Sequence, residues 1–255
     1  MKAMISLFNI PIDRLESADV QALIFQALTH HVLVTIATVN PEMLLAASHD
    51  VHVRKALCSM TYRIPDGVGV SLLLRLLRYG AVPRHPGSDL FVDICRSARQ
   101  MGKRVVILGG WGTTTECAIE VLKTAFPGLD IHGLSDVTIR VEDDLWDQPS
   151  DLLDTLSHLQ PDVLAVALGG VDHRQERWIA DHASAISGVK LAIGIGGTVD
   201  MIAGVSRRAP ALIQSVGMEW LWRLFLEPWR MRRIARAVVI FPMRALLDRM
   251  KRHES

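Results

Sequence analysis

The chain has 255 residues, 49% hydrophobic and 22% charged, with a formal net charge of +1; a chain of this length and composition buries a substantial core, which excludes general disorder. Its three cysteines, Cys58, Cys95 and Cys117, stand far apart with no Cys-x-x-Cys pair, so neither a disulfide framework nor a structural zinc site is encoded and a reducing compartment fits best. No run reaches the roughly 18 consecutive apolar residues that a membrane-spanning helix needs.

In chain order, MKAMISLFNIPIDRLES has one lysine and an apolar run soon broken by Asn9, Pro11 and Asp13, poor material for a signal peptide. It reads as a first strand. HVLVTIATVN reads as a strand, PEMLLAASHD as a helix with Pro41 in its first turn, and VGVSLLLRLLRYG as a helix opening after Asp66-Gly67. VPRHPGSDL leads into a helix with Ser88 as its expected cap. Three later segments, KRVVILGGWGTTTE, PDVLAVALGGVDHRQERW and VKLAIGIGGTVD, share an apolar run that ends in glycines and continues as a helix-like stretch. Continuous apolar runs belong to strands buried on both faces, the habit of parallel sheets. The predicted fold class is a Rossmann-like α/β/α sandwich over residues 1–204, followed by a helical appendage over residues 205–255. Asp143-Asp144 reads as a solvated helix start.

In such sheets ligands bind beyond the carboxyl ends of the strands. Thr38 and Asn40, Asp66 and Gly67, Gly109 to Gly112, and the Gly169 to Gln175 loop all follow predicted strands, so they converge on one edge. Asp-Gly is also an ordinary turn pair, and the glycine loops are also those of any α/β domain. Gly109 and Gly110 open a turn whose threonines either cap the next helix or leave backbone N–H groups for a phosphate. The turn is neither a full G-x-G-x-x-G nor a Walker A loop. Arg84 is either a surface arginine or a guanidinium for a phosphate or base. Gln175 offers an amide for a sugar hydroxyl, while Glu176 suits a helix N-terminus by charge alone. His30-His31 and His49-x-x-His52 lack a partner cluster, so no metal is expected. No Asp-x-Asp occurs, and any diphosphate must then be neutralised by arginines and backbone dipoles.

Charge is divided unevenly. From Arg207 onward there are 11 Lys and Arg against 4 acids, net +7, while the first 206 residues carry 17 against 23, net −6. The same tail holds Trp220, Trp222, Phe225, Trp229 and Phe241 among arginines at helical spacing. A nucleic-acid arm, a docking helix and an interfacial membrane helix all fit such a segment; the aromatics and scarce acids favour an anionic membrane surface over nucleic acid.

Taken together, TVN at 38–40, PDGVG at 65–69, RHPGSDL at 84–90, VVILGG at 105–110, RQERW at 174–178, RAP at 208–210, GMEWLWRL at 217–224 and EPWR at 227–230 closely resemble the TagA/WecG/CpsF glycosyltransferases. The resemblance runs from the first strand to about Arg233. It implies a bacterial inverting transferase, peripheral on the cytoplasmic face of the inner membrane. Such an enzyme moves a sugar of glucose or N-acetylmannosamine type from a UDP-sugar to a polyprenyl-diphosphate-linked monosaccharide, with no cofactor and no required metal. At matching positions it implies that Asp66 is the general base and that Thr38 and Asn40 share its pocket. It also implies that Arg84 is needed for activity, that Gln175 matches the glutamine of a Pro-Lys-Gln-Glu motif, and that the tail offers arginines, Arg208, Arg223, Arg230 and Arg233 among them, to the diphosphates. The loop before Gln175 departs from the motif: Val171-Asp172-His173-Arg174 lacks the proline. Two rival readings remain at this level, a Rossmann-type nucleotide-binding oxidoreductase, which lacks its glycine fingerprint, and a non-enzymatic membrane-associated scaffold.

Overall fold

A computed structural model describes residues 5–142, 145–169, 173–206, 210, 213, 221–222, 231 and 235–253. Its centre is a six-stranded sheet of β3 (Val34–Val39), β4 (Tyr62–Pro65), β5 (Val105–Gly109), β6 (Ile131–Leu134), β9 (Val163–Ala167) and β10 (Leu191–Gly194), in the order β4-β3-β10-β9-β5-β6. Every pairing in it is parallel. Leu191 faces Val34 on one side and Val163 on the other, so the last strand of the sheet is also one of its innermost.

The apolar runs divide by alternation, as the period of two along a strand requires. Val105, Ile107, Val163, Ala165, Leu191 and Ile193 join one core cluster. Val106, Leu108, Leu164, Val166 and Ala192 join the other. Helices α1 (Ser17–Thr29), α5 (Gly87–Met101), α6 (Thr114–Ala125) and α9 (Thr198–Ile202) pack on the first face; α2 (Pro41–His49), α3 (Val51–Ser59), α4 (Val68–Leu76), α7 (Leu152–Leu159) and α8 (Arg174–His182) pack on the second. This is the α/β/α arrangement expected from the sequence.

Several local expectations are corrected. The first strand is a hairpin, β1 (Ile5–Leu7) against β2 (Ile10–Ile12). Phe8 and Asn9 turn it with φ of 52° and 64°, the double positive φ of a two-residue hairpin loop. The stretch around Asp143-Asp144 does not start a helix: β7 (Arg140–Glu142) and β8 (Leu145–Asp147) pair antiparallel on either side of it. Asp143 and Asp144 themselves lie outside the described residues. Ser88 does not cap α5, whose N-cap is Pro86 without a side-chain bond. At the chain's end a π-helical turn, Arg236–Ile240, runs into α10 (Phe241–His253). Phe241, expected among the membrane-facing aromatics, is instead fully buried, its ring 6.1 Å from that of Phe8.

Candidate active site

The site grows from the carboxyl ends of β3 and β4. Thr38 is buried near the end of β3, and Asn40, just past it, caps α2 by accepting the Met43 N–H at 3.0 Å. That bond commits the carbonyl end of the Asn40 amide to the helix, so any further role of the side chain falls to its NH2 donor. Asp66 follows β4, and its N–H donates to the Val39 carbonyl at 2.8 Å, extending the strand pairing by one step. Gly67 then takes φ 76° and ψ 159° as the N-cap of α4, a region that essentially only glycine occupies. The half-buried Asp66 is thus held between a strand end and a helix start.

The segment carrying Arg84 folds back over this turn. His85 N–H donates to the Pro65 carbonyl at 2.9 Å, and its Nε2 lies 2.9 Å from the Leu15 carbonyl. Gly87 opens α5 so close to β3 that a β-carbon there would sit 3.0 Å from Thr38 Oγ1. Thr38, Asn40 and Asp66 therefore stand at one strand-end edge, where the sequence puts them, and the backbone bonds of His85 and the contact of Gly87 bring the half-buried Arg84 segment to it.

A second group stands beyond β9 and β10. Gln175 and Glu176 open α8, and both are buried. The Gln175 amide is fixed at both ends: Oε1 accepts the Gly196 N–H at 3.0 Å and Nε2 donates to Glu176 Oε1 at 2.6 Å. A β-carbon at Gly194 would lie 2.7 Å from that carboxylate and 2.8 Å from that amide, so the pair rests directly on the end of β10. Burial pushes the Glu176 carboxyl up to about 7, opposed in part by bonds from Gln175 and from its own backbone N–H. Its Oε2 has no hydrogen-bonding partner among the described residues. From the sequence, Glu176 is a residue of the helix dipole; the structure buries it instead. The signal for burial was present: Gln175 and Glu176 each precede a buried residue, Trp178 and Ile179, by three positions, which puts all four on one helical face.

Gly109 and Gly110 end β5 with φ of 95° and 99°. The threonines of this loop do not cap α6. Thr115 Oγ1 donates back to the Gly109 carbonyl at 2.7 Å and Thr114 Oγ1 to the Trp111 carbonyl, while Thr113, the N-cap, makes no side-chain bond. A β-carbon at Gly110 would collide with Thr115 Oγ1. Trp111, on this loop, is exposed.

These groups occupy the ends of β4, β3, β10, β9 and β5, adjacent in the sheet and about 19 Å from first to last at the usual strand spacing. After β3 the chain passes to the α2 face, and after β10 to the α9 face. Neighbouring strands that part in this way open the crevice where α/β proteins bind ligands. Among the described residues no three His, Cys, Asp or Glu side chains gather as a metal site. Arg208, Arg223, Arg230 and Arg233 lie outside the described residues, as do Val171 and Asp172.

The model of the Glycosyl transferase WecG/TagA/CpsF family matches residues 5–255. An N-acetylglucosaminyldiphosphoundecaprenol N-acetyl-beta-D-mannosaminyltransferase of Bacillus subtilis (strain 168) is 30% identical over 199 residues, 78% of this chain and 74% of the relative. Its counterpart in Bacillus spizizenii is 32% identical over the same shares. One from Staphylococcus aureus (strain MRSA252) is 26% identical over 210 residues, 81% of this chain and 77% of the relative. Matched by that model over residues 5–255, the chain belongs to the WecG/TagA/CpsF family of glycosyl transferases.

Proposed function

We propose that the protein transfers a sugar, of N-acetylmannosamine or glucose type, from a UDP-sugar to a monosaccharide carried on a polyprenyl diphosphate, with inversion and without a metal. The acceptor sugar named by the relatives is N-acetylglucosamine, and that is the first acceptor to try. The observation that carries the reading is the joining of Asp66, Thr38, Asn40 and the Arg84 segment around two strand ends, held by the Asp66–Val39 and His85–Pro65 backbone bonds.

The chemistry follows from these groups. The Asp66 carboxylate takes the proton of the acceptor hydroxyl while that oxygen bonds to the donor's anomeric carbon. The bond from that carbon to the β-phosphate oxygen breaks on the opposite face, and UDP departs with the electron pair. One displacement inverts the centre. Thr38 and Asn40 orient the acceptor, and the fixed Gln175 amide meets the donor sugar. The glycine turn at Gly109-Gly110 lies beside the nucleotide. Charge developing on the leaving diphosphate needs cations in place before it forms; Arg84 and the tail arginines Arg208, Arg223, Arg230 and Arg233 fill that role. Residues 1–204 act as the catalytic body and residues 205–255 as the appendage that meets the cytoplasmic face of the inner membrane.

A panel of UDP-sugars offered with a short-chain polyprenyl-diphosphate N-acetylglucosamine tests the reading: UDP and an inverted disaccharide are expected with one donor class. Asp66→Asn keeps the shape of the side chain but cannot take a proton, and should lower transfer by about 100-fold or more. A near-normal kcat in that variant removes Asp66 from the role. Turnover is expected to survive EDTA, because the sequence has no Asp-x-Asp and arginines can neutralise the diphosphate. Loss on chelation with recovery on adding Mg²⁺ would overturn the metal-free mechanism.

A further inference from the structure

We propose that α4, the helix into which the Asp66 turn opens, is a membrane-contacting element of the catalytic body and lies on an anionic bilayer beside α10. This rests on the proposed function and goes beyond it, since it assigns lipid contact to the body and not to the tail alone. The inner face of α4 buries Val70, Leu73 and Leu74. Its outer face leaves Leu72 63% and Leu76 65% exposed, one helical turn apart, with Arg75 exposed between them and Arg78 exposed just after. Water-facing positions of an amphipathic helix ordinarily carry polar residues. Between Gly67 and Gly80 there is no acid at all.

The C-terminal helix reaches the end of α4. Arg249 donates to the Leu77 carbonyl, and its guanidinium stands 5.5 Å from the centre of the Tyr79 ring. Phe241 and Ala245 enter the same core cluster as Leu73, Leu74 and Leu77. With Arg249 tying the C-terminal helix to the end of α4, and both helices burying one face in the core on the same side of the sheet, we take their outer faces as parts of one surface. The outer face here continues through Val239, Ile240, Met243, Leu246, Leu247 and Met250, all exposed, with Arg236 and Arg244 exposed among them. Asp248, the one acid from 235 to 250, is half-buried.

Large apolar side chains rimmed by arginine, with Asp248 the one acid among them, have the chemistry of a helix lying in the interface of an anionic bilayer. A second copy of this chain would set these arginines against one another in a two-fold contact, which like charges oppose. No helix of the described residues is long and apolar enough to cross a membrane, so the contact is in the plane of the surface. The consequence reaches the site. Leu72 and Leu76 stand about 6 and 12 Å along the helix axis from Val68, and Asp66 is two residues before Val68. The base is thereby held close above the headgroups, where a diphosphate and one sugar ring can reach it while the polyprenyl chain stays in the lipid.

The test uses the full chain and vesicles of phosphatidylglycerol mixed with phosphatidylethanolamine. Cys58→Ser and Cys117→Ser remove the two exposed thiols, and Cys95 is buried, so Leu72→Cys can be labelled with an environment-sensitive dye. Dye emission should rise on adding vesicles and be quenched by spin-labelled lipid. Leu72→Glu with Leu76→Glu, at positions already exposed, should keep the wild-type unfolding midpoint while weakening vesicle binding by about tenfold or more. A dye that stays unquenched on vesicle-bound protein overturns this inference alone, and so does a homodimer that the two glutamates dissociate. Wild-type protein that ignores vesicles removes the membrane reading and this inference together. Quenching at position 72 without sugar transfer to any acceptor leaves the inference standing and sinks the proposed function.

Discussion

Two residues beside Asp66 and Gln175 decide how the site is held. Gly67, with φ 76° and ψ 159°, has no atom within 4 Å of where a β-carbon would stand. Gly67→Ala therefore meets no clash, and its cost is purely that of the backbone, about 1–3 kcal/mol. We expect denaturant unfolding to show that loss and transfer to fall further than stability, because a relaxed turn re-aims Asp66. Normal kcat in a destabilised Gly67→Ala protein would show that the turn serves the fold and not the placing of Asp66. Glu176 makes a prediction in pH. Unfolded, its carboxyl titrates near 4.5; folded, burial holds the proton on until about 7. The folded state binds more protons across that window, so this group's contribution is fully present below about pH 4.5 and is lost as pH rises to about 7. The gap of about 2.5 pH units corresponds to about 3 kcal/mol. Glu176→Gln, which cannot ionise, should lack this loss and gain on the wild type at pH 8 relative to pH 5. Parallel stability curves for the two proteins would mean that Glu176 ionises without penalty.

At the scale of elements, the sheet is held at the end opposite the site. Asp162, just before β9, accepts the Arg104 N–H ahead of β5 at 3.0 Å and pairs with Lys190, just before β10, at 2.9 Å and Lys103 at 3.4 Å. Burial alone would raise its carboxyl, but these partners hold it below the ordinary value of 3.8. The stability it supplies is present above pH 3.8 and lost as pH falls through the depressed value. Asp162→Asn should cost about 1–3 kcal/mol near pH 7, with the difference from wild type shrinking in acid; a difference that persists below the folded value would point to packing and not charge. The strands joined here were legible in the sequence, because a run such as VVILG or VLAVA, apolar at every position, fits only a strand covered on both faces. The β1–β2 hairpin was not. Its turn uses Phe8 at positive φ, where Asn-Gly or Asp-Gly is the usual signal, and the phenylalanine is buried in the core, its ring near that of the distant Phe241. Ser88 and the Thr113–Thr115 run misled for a related reason. A hydroxyl near a helix start also donates to a carbonyl, as Thr115 does to Gly109, and composition does not distinguish the two roles.

The same limit applies to the molecule as a whole, where the change of charge after Arg207 suggests an appendage distinct from the body. At the site, Thr38, Asn40 and Asp66 could be placed on one sheet edge because each follows a recognisable strand; Arg84, which precedes a helix and follows no strand, was marked only by the resemblance, and the burial of Glu176 was missed because a carboxylate in a first helical turn has a simpler reading. For the tail, the basic aromatic pattern suggested a surface but said nothing of its attachment. Phe241 lies fully buried against Phe8, and Arg249 reaches the Leu77 carbonyl at the end of α4, so the last helix closes the core of the body while turning its other face outward. A truncation after Ala203, the natural test of a removable membrane anchor, takes away Phe241 and Ala245 along with the basic residues. It should therefore lower the body's stability as well as its vesicle binding. Phe241→Ala separates the two effects, since it leaves every arginine and every exposed apolar residue of α10 unchanged. Filling of the gap by neighbours would be partial, and the expected loss is about 3–5 kcal/mol, read as a lower denaturant midpoint of the single transition that also reports the sheet. If the midpoint does not move, α10 is only lightly docked and the tail is an appendage in the full sense. If it falls while the folded variant still binds anionic vesicles, core closure and membrane contact belong to opposite faces of one helix.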